Sequence, residues 1–327
     1  MKKLISIFAV LMLVVVATAQ AQISLSGIKK KNLKSEQYVR TNRNWSGVAA
    51  DITKGCRTDR EKTLAIYNWI CDNIAYDTDY KIYHVDECWD ARKGVCQAYS
   101  ELYYCLAKEV GLQCYIIVGL AKTGNNDFGS HAWVTVKLDG KYTLLDPTWG
   151  AGSVDGKVFT RKKDHSMWFD VDPSWMFFSH FPDDTKWQLM QTAYNSAQFK
   201  KLPFCRPLSS IGVNGTVLLN AILTEKIKTL PTFYSIDSDR FKARSIPFSG
   251  NIKIGKAYNI KIHPESGVEW AVINEGTWYR EWQKDEKGNI YMTVTPEKQG
   301  KLTLSVRRTS EEKSFYTVVE YKVKGGK

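Results

Sequence analysis

Cys96 follows Gly94 by two residues, at the point where a helical pattern begins, so its thiol belongs to the first turn of a helix. Free N–H groups and the positive end of the helix dipole favour an anion there, which brings a thiolate within reach near neutral pH. Arg92 and Lys93 add positive charge, and Gly94 leaves room for a substrate to approach the backbone. A thiolate attacks carbonyls, but the chemistry needs a base beside it and a carboxylate to orient the base. His131 and Asp146 are the candidates for those roles.

The elements that must join them can be read from pattern. Gln113–Ala121, His131–Leu138 and Tyr142–Asp146 read as strands, with Asp139-Gly140 between the last two. Asp-Gly between β-prone runs signals a two-residue type I′ hairpin, whose central residues both need positive φ. Leu138 then opposes Lys141 and, counting outward, Trp133 opposes Asp146. His131 shares a face with Trp133 and lies diagonal to Asp146, with Cβ atoms roughly 7 Å apart or less. A slip of one residue would put the pair on opposite faces.

Upstream, a capping box from Thr58 to Glu61 opens a helix from Asp59 to about Ile74, with Leu64, Tyr67, Ile70 and Ile74 inward. A second helix runs from about Val95 to Val110, with Ala98, Leu102 and Leu106 inward and Gly111 as its stop. The aromatic, Pro-punctuated stretch to Phe204 reads as irregular cover. Short alternating runs beyond Cys205 predict an antiparallel, immunoglobulin-like β-sandwich.

Three motifs in this order resemble the catalytic core of the transglutaminase-like superfamily. They are Gly94-Val95-Cys96-Gln97-Ala98-Tyr99, His131-Ala132-Trp133 and Leu145-Asp146-Pro147-Thr148-Trp149-Gly150. The resemblance covers Thr53 to Gly150. The later stretch Phe178–Leu189, with His180-Phe181-Pro182 and Trp187-Gln188-Leu189, is more similar to the kyphoscoliosis peptidase and cytokinesis-protein-3 branch than to animal tissue transglutaminases. The resemblance implies an α+β, papain-like fold with the Cys helix packed on an antiparallel sheet, and Cys96, His131 and Asp146 as its triad. Oxyanion donors are the Cys96 N–H and, as a candidate, the Trp89 indole, with Gln97 a further candidate for the substrate groove. Animal transglutaminases have Gln immediately before the nucleophile, where this chain has Val95.

With 327 residues, 43% hydrophobic and 24% charged, the chain fits about two domains and excludes disordered, collagenous and coiled-coil classes. Lys2-Lys3, the apolar run Leu4–Ala17 and Ala17-Thr18-Ala19 form a secretory signal, cleaved near Ala19 or Ala21. The expected division is a signal peptide at 1–19, a polar and helical lead-in at 20–52, a catalytic domain at 53–204 and a β-sandwich at 205–327. No later run is long enough to span a membrane.

The net charge of +12 is concentrated beyond Cys205 and reads as solubility and edge protection, and an exported chain makes nucleic acid an unsuitable partner. Seven cysteines leave at least one unpaired, and six would allow about 15 pairings. No CxxC occurs; His84, His165, His180 and His263 lack metal-ligand spacing and read as solvated or core-satisfied; Asp170, Asp172, Asp183 and Asp184 form no calcium loop. No metal or cofactor is therefore expected. The sequence predicts an exported, periplasmic or extracellular cysteine acyl-transfer enzyme that hydrolyses an amide in a protein or peptide, cell-wall peptides included, through a Cys96 thioester. Protein crosslinking and noncatalytic binding of a protein or envelope polymer are the competing readings; the oligomeric state stays open.

Overall fold

The computed structural model describes residues 39–122, 127–234 and 241–325, so the expected signal peptide lies outside the described residues. Among the described residues no helix is long and apolar enough to cross a membrane.

The N-terminal half is built around one buried helix. After α1 (Ser46–Ile52), the expected capping box opens α2 (Asp59–Asn73): Thr58 Oγ1 accepts the Glu61 N–H at 3.1 Å and Glu61 Oε2 accepts the Thr58 N–H at 2.9 Å. The inward stripe is Thr63, Ile66, Tyr67, Ile70, Cys71 and Ile74, whereas Leu64 is exposed and had been expected inside. Position 64 lies on the flank of this stripe, and Thr63 and Ile66 take the inward places around it. A short strand β1 (Ala75–Tyr76), α3 (Val85–Ala91) and β2 (Lys93–Gly94) lead into α4 (Cys96–Glu109). Every residue of α4 from Ala98 to Ala107 is buried. Its tyrosines bury large apolar rings while their hydroxyls find acceptors, Tyr99 on the Ile74 carbonyl at 2.7 Å and Tyr103 on that of Thr63 at 3.3 Å.

α4 packs on an antiparallel sheet of order β5-β4-β3-β8, formed by β3 (Cys114–Lys122), β4 (Phe128–Leu138), β5 (Lys141–Leu145) and, from further along the chain, β8 (His180–Pro182). The β4–β5 turn has φ of 49° at Asp139 and 81° at Gly140, and Leu138 pairs with Lys141, so the expected register holds. Ala132, Val134 and Val136 face the helical core; Trp133 and Ile117 face a second cluster. The sheet is thus buried on both faces.

After α5 (Pro147–Ala151), the stretch expected to be irregular contains a hairpin, β6 (Gly152–Asp155) and β7 (Val158–Arg161), and then β8 (His180–Pro182), which joins the main sheet beside β3. Three residues ending in Pro182 carry no alternation to read. Their place is made by Gly119: a Cβ there would collide with the Phe181 carbonyl oxygen. Lys122, at the end of β3, is fully buried and its ammonium donates to the carbonyls of Phe199, at 3.0 Å, and Leu202.

The C-terminal region forms two sheets. One joins 241–245, 258–264, 290–294 and 283–284; the other joins 251–253, 316–324, 300–307, 269–274 and 277–279, with 232–233 also on 316–324. Their inner faces meet through Ile260, Ile262 and Met292 against Val272, Leu304 and Val319, giving the sandwich. The same apolar cluster continues through Leu208, Phe199, Phe178 and Trp175 to Trp133 on the main sheet.

Candidate active site

Cys96 is the first residue of α4, and the chain entering it is pinned from both sides. β1 and β2 pair in parallel, Tyr76 with Gly94, while the Val95 N–H donates to the Ile82 carbonyl at 2.9 Å. Asp77 fixes the loop beneath, accepting the N–H groups of Lys81 at 2.7 Å and Ile82 at 2.9 Å. The space at Gly94 serves packing rather than a substrate: a Cβ there would lie 2.7 Å from Ala98 Cβ and 3.1 Å from Cys88 Sγ. Nor do the neighbouring cations face the thiol. Arg92 lies 3.7 Å over the Trp89 ring, and Lys93 Nζ is 3.6 Å from Asp77 Oδ1.

The positive charge comes from His131. Its Nε2 is 2.7 Å from Asp146 Oδ2, and its other nitrogen is left for the hydrogen bond with Cys96. Burial opposes a thiolate, but the His131 imidazolium and the Ala132 backbone N–H together hold the Cys96 pKa below its ordinary value. His131 moves the other way: burial disfavours its cation, yet Asp146 and the Cys96 thiolate raise its pKa to about 10. The other buried thiols contrast sharply. Desolvation pushes Cys88, Cys105 and Cys205 up to about 12, and Cys71 and Cys114 higher, and all seven cysteines are unpaired.

Asp146 is fully buried at the end of β5 and holds four hydrogen bonds. Oδ1 caps α5, accepting the N–H groups of Thr148 and Trp149, each at 2.9 Å. Oδ2 accepts from His131 and, at 3.0 Å, from Nε2 of His180. Burial alone would raise its pKa, but the two imidazoles hold it well below the usual carboxylate range.

Sequence reasoning therefore missed His180 as a member of the site. It is core-satisfied, as expected, but satisfied by the orienting carboxylate itself. Parity along β8 puts it on the His131 face, since His131 pairs with Gly119 and Gly119 with Pro182. That parity is readable only once β8 is known to be a strand. The remaining histidines are structural or surface groups: His165 bridges the Gly150 carbonyl and Asp72, and His263 Nδ1 lies 3.2 Å from Asn289.

Of the groove candidates, Trp89 stacks on Trp69 with centroids 5.3 Å apart and meets Trp45 edge-on. Gln97 Nε2 donates to the buried Glu101 at 2.9 Å. The Cys96 N–H, at the first helical position, has no intrahelical acceptor and stays available as an oxyanion donor. Donor atoms of His131, Asp146 and His180 lie within 4.8 Å of one another. Both nitrogens, however, sit at proton-sharing distance from one oxygen, whereas zinc ligands stand about 2.0–2.2 Å from the ion. The arrangement is that of a hydrogen-bonded trio.

Part of this chain is similar to known proteins. Residues 46–147 match the transglutaminase-like superfamily. The kyphoscoliosis peptidase of Homo sapiens is 31% identical over 169 residues, covering 47% of this chain and 25% of that protein. The Lim and transglutaminase domain protein ltd-1 of Caenorhabditis elegans is 27% identical over 187 residues, covering 48% and 25%. A solved TGase structure aligns at 18% identity with a TM-score of 0.29, covering 42% of this chain and 38% of its own. The chain thus spans about a quarter of the length of the curated relatives it matches.

Proposed function

Starting from the membership of residues 46–147 in the transglutaminase-like superfamily, on the kyphoscoliosis peptidase branch, we propose that this chain is an exported cysteine peptidase or amidase. The observation that carries the reading is a half-buried cysteine at a helix start, its thiol hydrogen-bonded to a buried histidine that a buried carboxylate holds. In this mechanism the Cys96 thiolate attacks the amide carbonyl, and the Cys96 N–H donates a hydrogen bond to the developing oxyanion. The C–N bond breaks as the His131 imidazolium gives its proton to the leaving amine, leaving a Cys96 thioester and a neutral imidazole. His131 then takes a proton from water as the oxygen attacks, and the thiolate departs with the acid as product.

Amine acceptors compete for the same thioester. Water at about 55 M outweighs millimolar amines unless a site excludes water and orients the amine, so hydrolysis is the default. The N-terminal Lys2-Lys3 and Leu4–Ala17 support export, and the substrate class is protein or peptide, cell-wall peptides included.

The test is incubation of wild type and Cys96→Ala with a peptide pool and purified cell-wall peptides in ¹⁸O-water containing a fluorescent primary amine. Expected products carry ¹⁸O at a new carboxyl group and vanish with Cys96→Ala. Dominant amine incorporation would replace hydrolysis with crosslinking. No Cys96-dependent product from either source would favour a binding module.

A further inference from the structure

We propose that His180 is a positioning residue for the acyl-transfer site: its Nε2–H holds Asp146 Oδ2 in line with His131, so that β8 forms part of the catalytic apparatus. The proposal rests on the Cys96–His131 reading above and goes beyond it, because a triad of this kind needs only one histidine.

Three observations carry it. First, a carboxylate only accepts hydrogen bonds, so His180 must place its hydrogen on Nε2 to lie 3.0 Å from Asp146 Oδ2. Its Nδ1 is then the acceptor, and the Ser179 hydroxyl sits 2.8 Å away to donate to it. Every polar atom of the ring is used, and the tautomer is set. Second, the ring is 1% exposed and enclosed by Trp149, Trp133 and Trp168, with centroids at 4.5, 5.0 and 5.5 Å. A ring so packed cannot turn away from Asp146, which makes it a rigid stop for the carboxylate. Third, β8 reaches this place only because Gly119 has no side chain, and the imidazoles of His131 and His180 meet with centroids 5.2 Å apart.

The groups facing this cluster are few. From β5 comes Asp146 and from β4 His131, with Cys96 behind it on α4. Lys162 stands beyond Trp149, donating to its carbonyl at 2.9 Å. Tyr67 and Cys71 on α2 are neutral, burial raising the pKa of each. His180 itself stays neutral at working pH, since burial outweighs Asp146 and draws its pKa down to about 4. It therefore donates to the carboxylate without competing with the His131 cation.

Removing this donor makes Asp146 easier to protonate and frees it to rotate, so the thiolate and imidazolium pair should collapse at a higher pH. The experiment measures the pH dependence of Cys96 alkylation by iodoacetamide, read by peptide mass mapping of the full chain, in wild type, His180→Phe, His180→Gln and Ser179→Ala. Expected is an acid-side midpoint raised by about one pH unit in His180→Phe, equivalent to roughly tenfold slower alkylation below it. His180→Gln, which keeps an N–H near the Nε2 position, should return the midpoint toward wild type. Ser179→Ala should show a smaller shift in the same direction and decides the matter if His180→Phe does not fold. An unshifted midpoint in folded His180→Phe, or thermal destabilisation of the Phe and Gln variants alike with no change in pH profile, would overturn the proposal. Failure of the underlying reading looks different: wild-type Cys96 would itself alkylate as an ordinary thiol.

Discussion

At Asp146 one carboxylate oxygen caps a helix and the other serves two imidazoles, so a single side chain ties the end of β5, the start of α5, β4 and β8 together. Asp146→Asn keeps the shape and the capping oxygen but turns an NH₂ group toward two N–H donors. It also removes the charge that sustains the His131 cation. The expected outcome is a drop in Cys96-dependent turnover on the order of 10³–10⁴-fold with secondary structure retained, measured by steady-state kinetics alongside circular dichroism. Retention of more than a tenth of wild-type turnover would show that Asp146 does not orient the base. The His131–Asp146 contact was legible because a two-residue hairpin fixes their relation locally, and the helix start at Cys96 was legible from its pattern. His180 was not, because its relation to Asp146 passes through a three-residue strand 34 positions away.

Among the elements, β8 depends most on one missing side chain. Gly119→Ala places a methyl group against the Phe181 carbonyl, so β8 must shift and carry His180 with it. We expect a loss of about 1–3 kcal/mol in unfolding free energy together with slower Cys96 alkylation. Gly129→Ala is the internal control: it lies in the neighbouring strand β4 with nothing within 4 Å of its would-be Cβ, and should leave both measurements unchanged. Equal effects at the two glycines would sink the explanation. Helices α2 and α4 were legible from caps and a 3.6-residue period, and the β4–β5 hairpin from its turn residues. The 150–204 stretch was not, because its order comes from tertiary partners such as the buried Lys122 on the carbonyls of Phe199 and Leu202.

For the whole molecule, the site imposes a pH signature on stability. His131, raised from 6.5 to about 10, adds stability below pH 6.5 that is lost as pH rises through 10. Cys96, lowered from 9.0, adds stability above pH 9 that is lost as pH falls through its folded value, so it opposes the His131 trend as pH approaches 9 from below. His180, lowered from 6.5 to about 4, adds stability above pH 6.5 that is lost as pH falls through 4. The thermal midpoint should therefore fall between pH 6.5 and 4, and His180→Phe should shallow that slope; an identical slope would contradict the assignment. The strand-rich character of the C-terminal region was legible from the alternating runs beyond Cys205, but the apolar cluster running from Trp133 to Val323 was not, since it forms between segments far apart in sequence. The central claim, an activated thiolate held by His131, is tested most directly by the thiolate absorbance near 240 nm, titrated from pH 4 to 10 as the difference between wild type and Cys96→Ser. The account predicts a thiolate signal that emerges below pH 9 and moves up in pH in His131→Ala, and a Cys96 signal emerging only near pH 9 in wild type would contradict it.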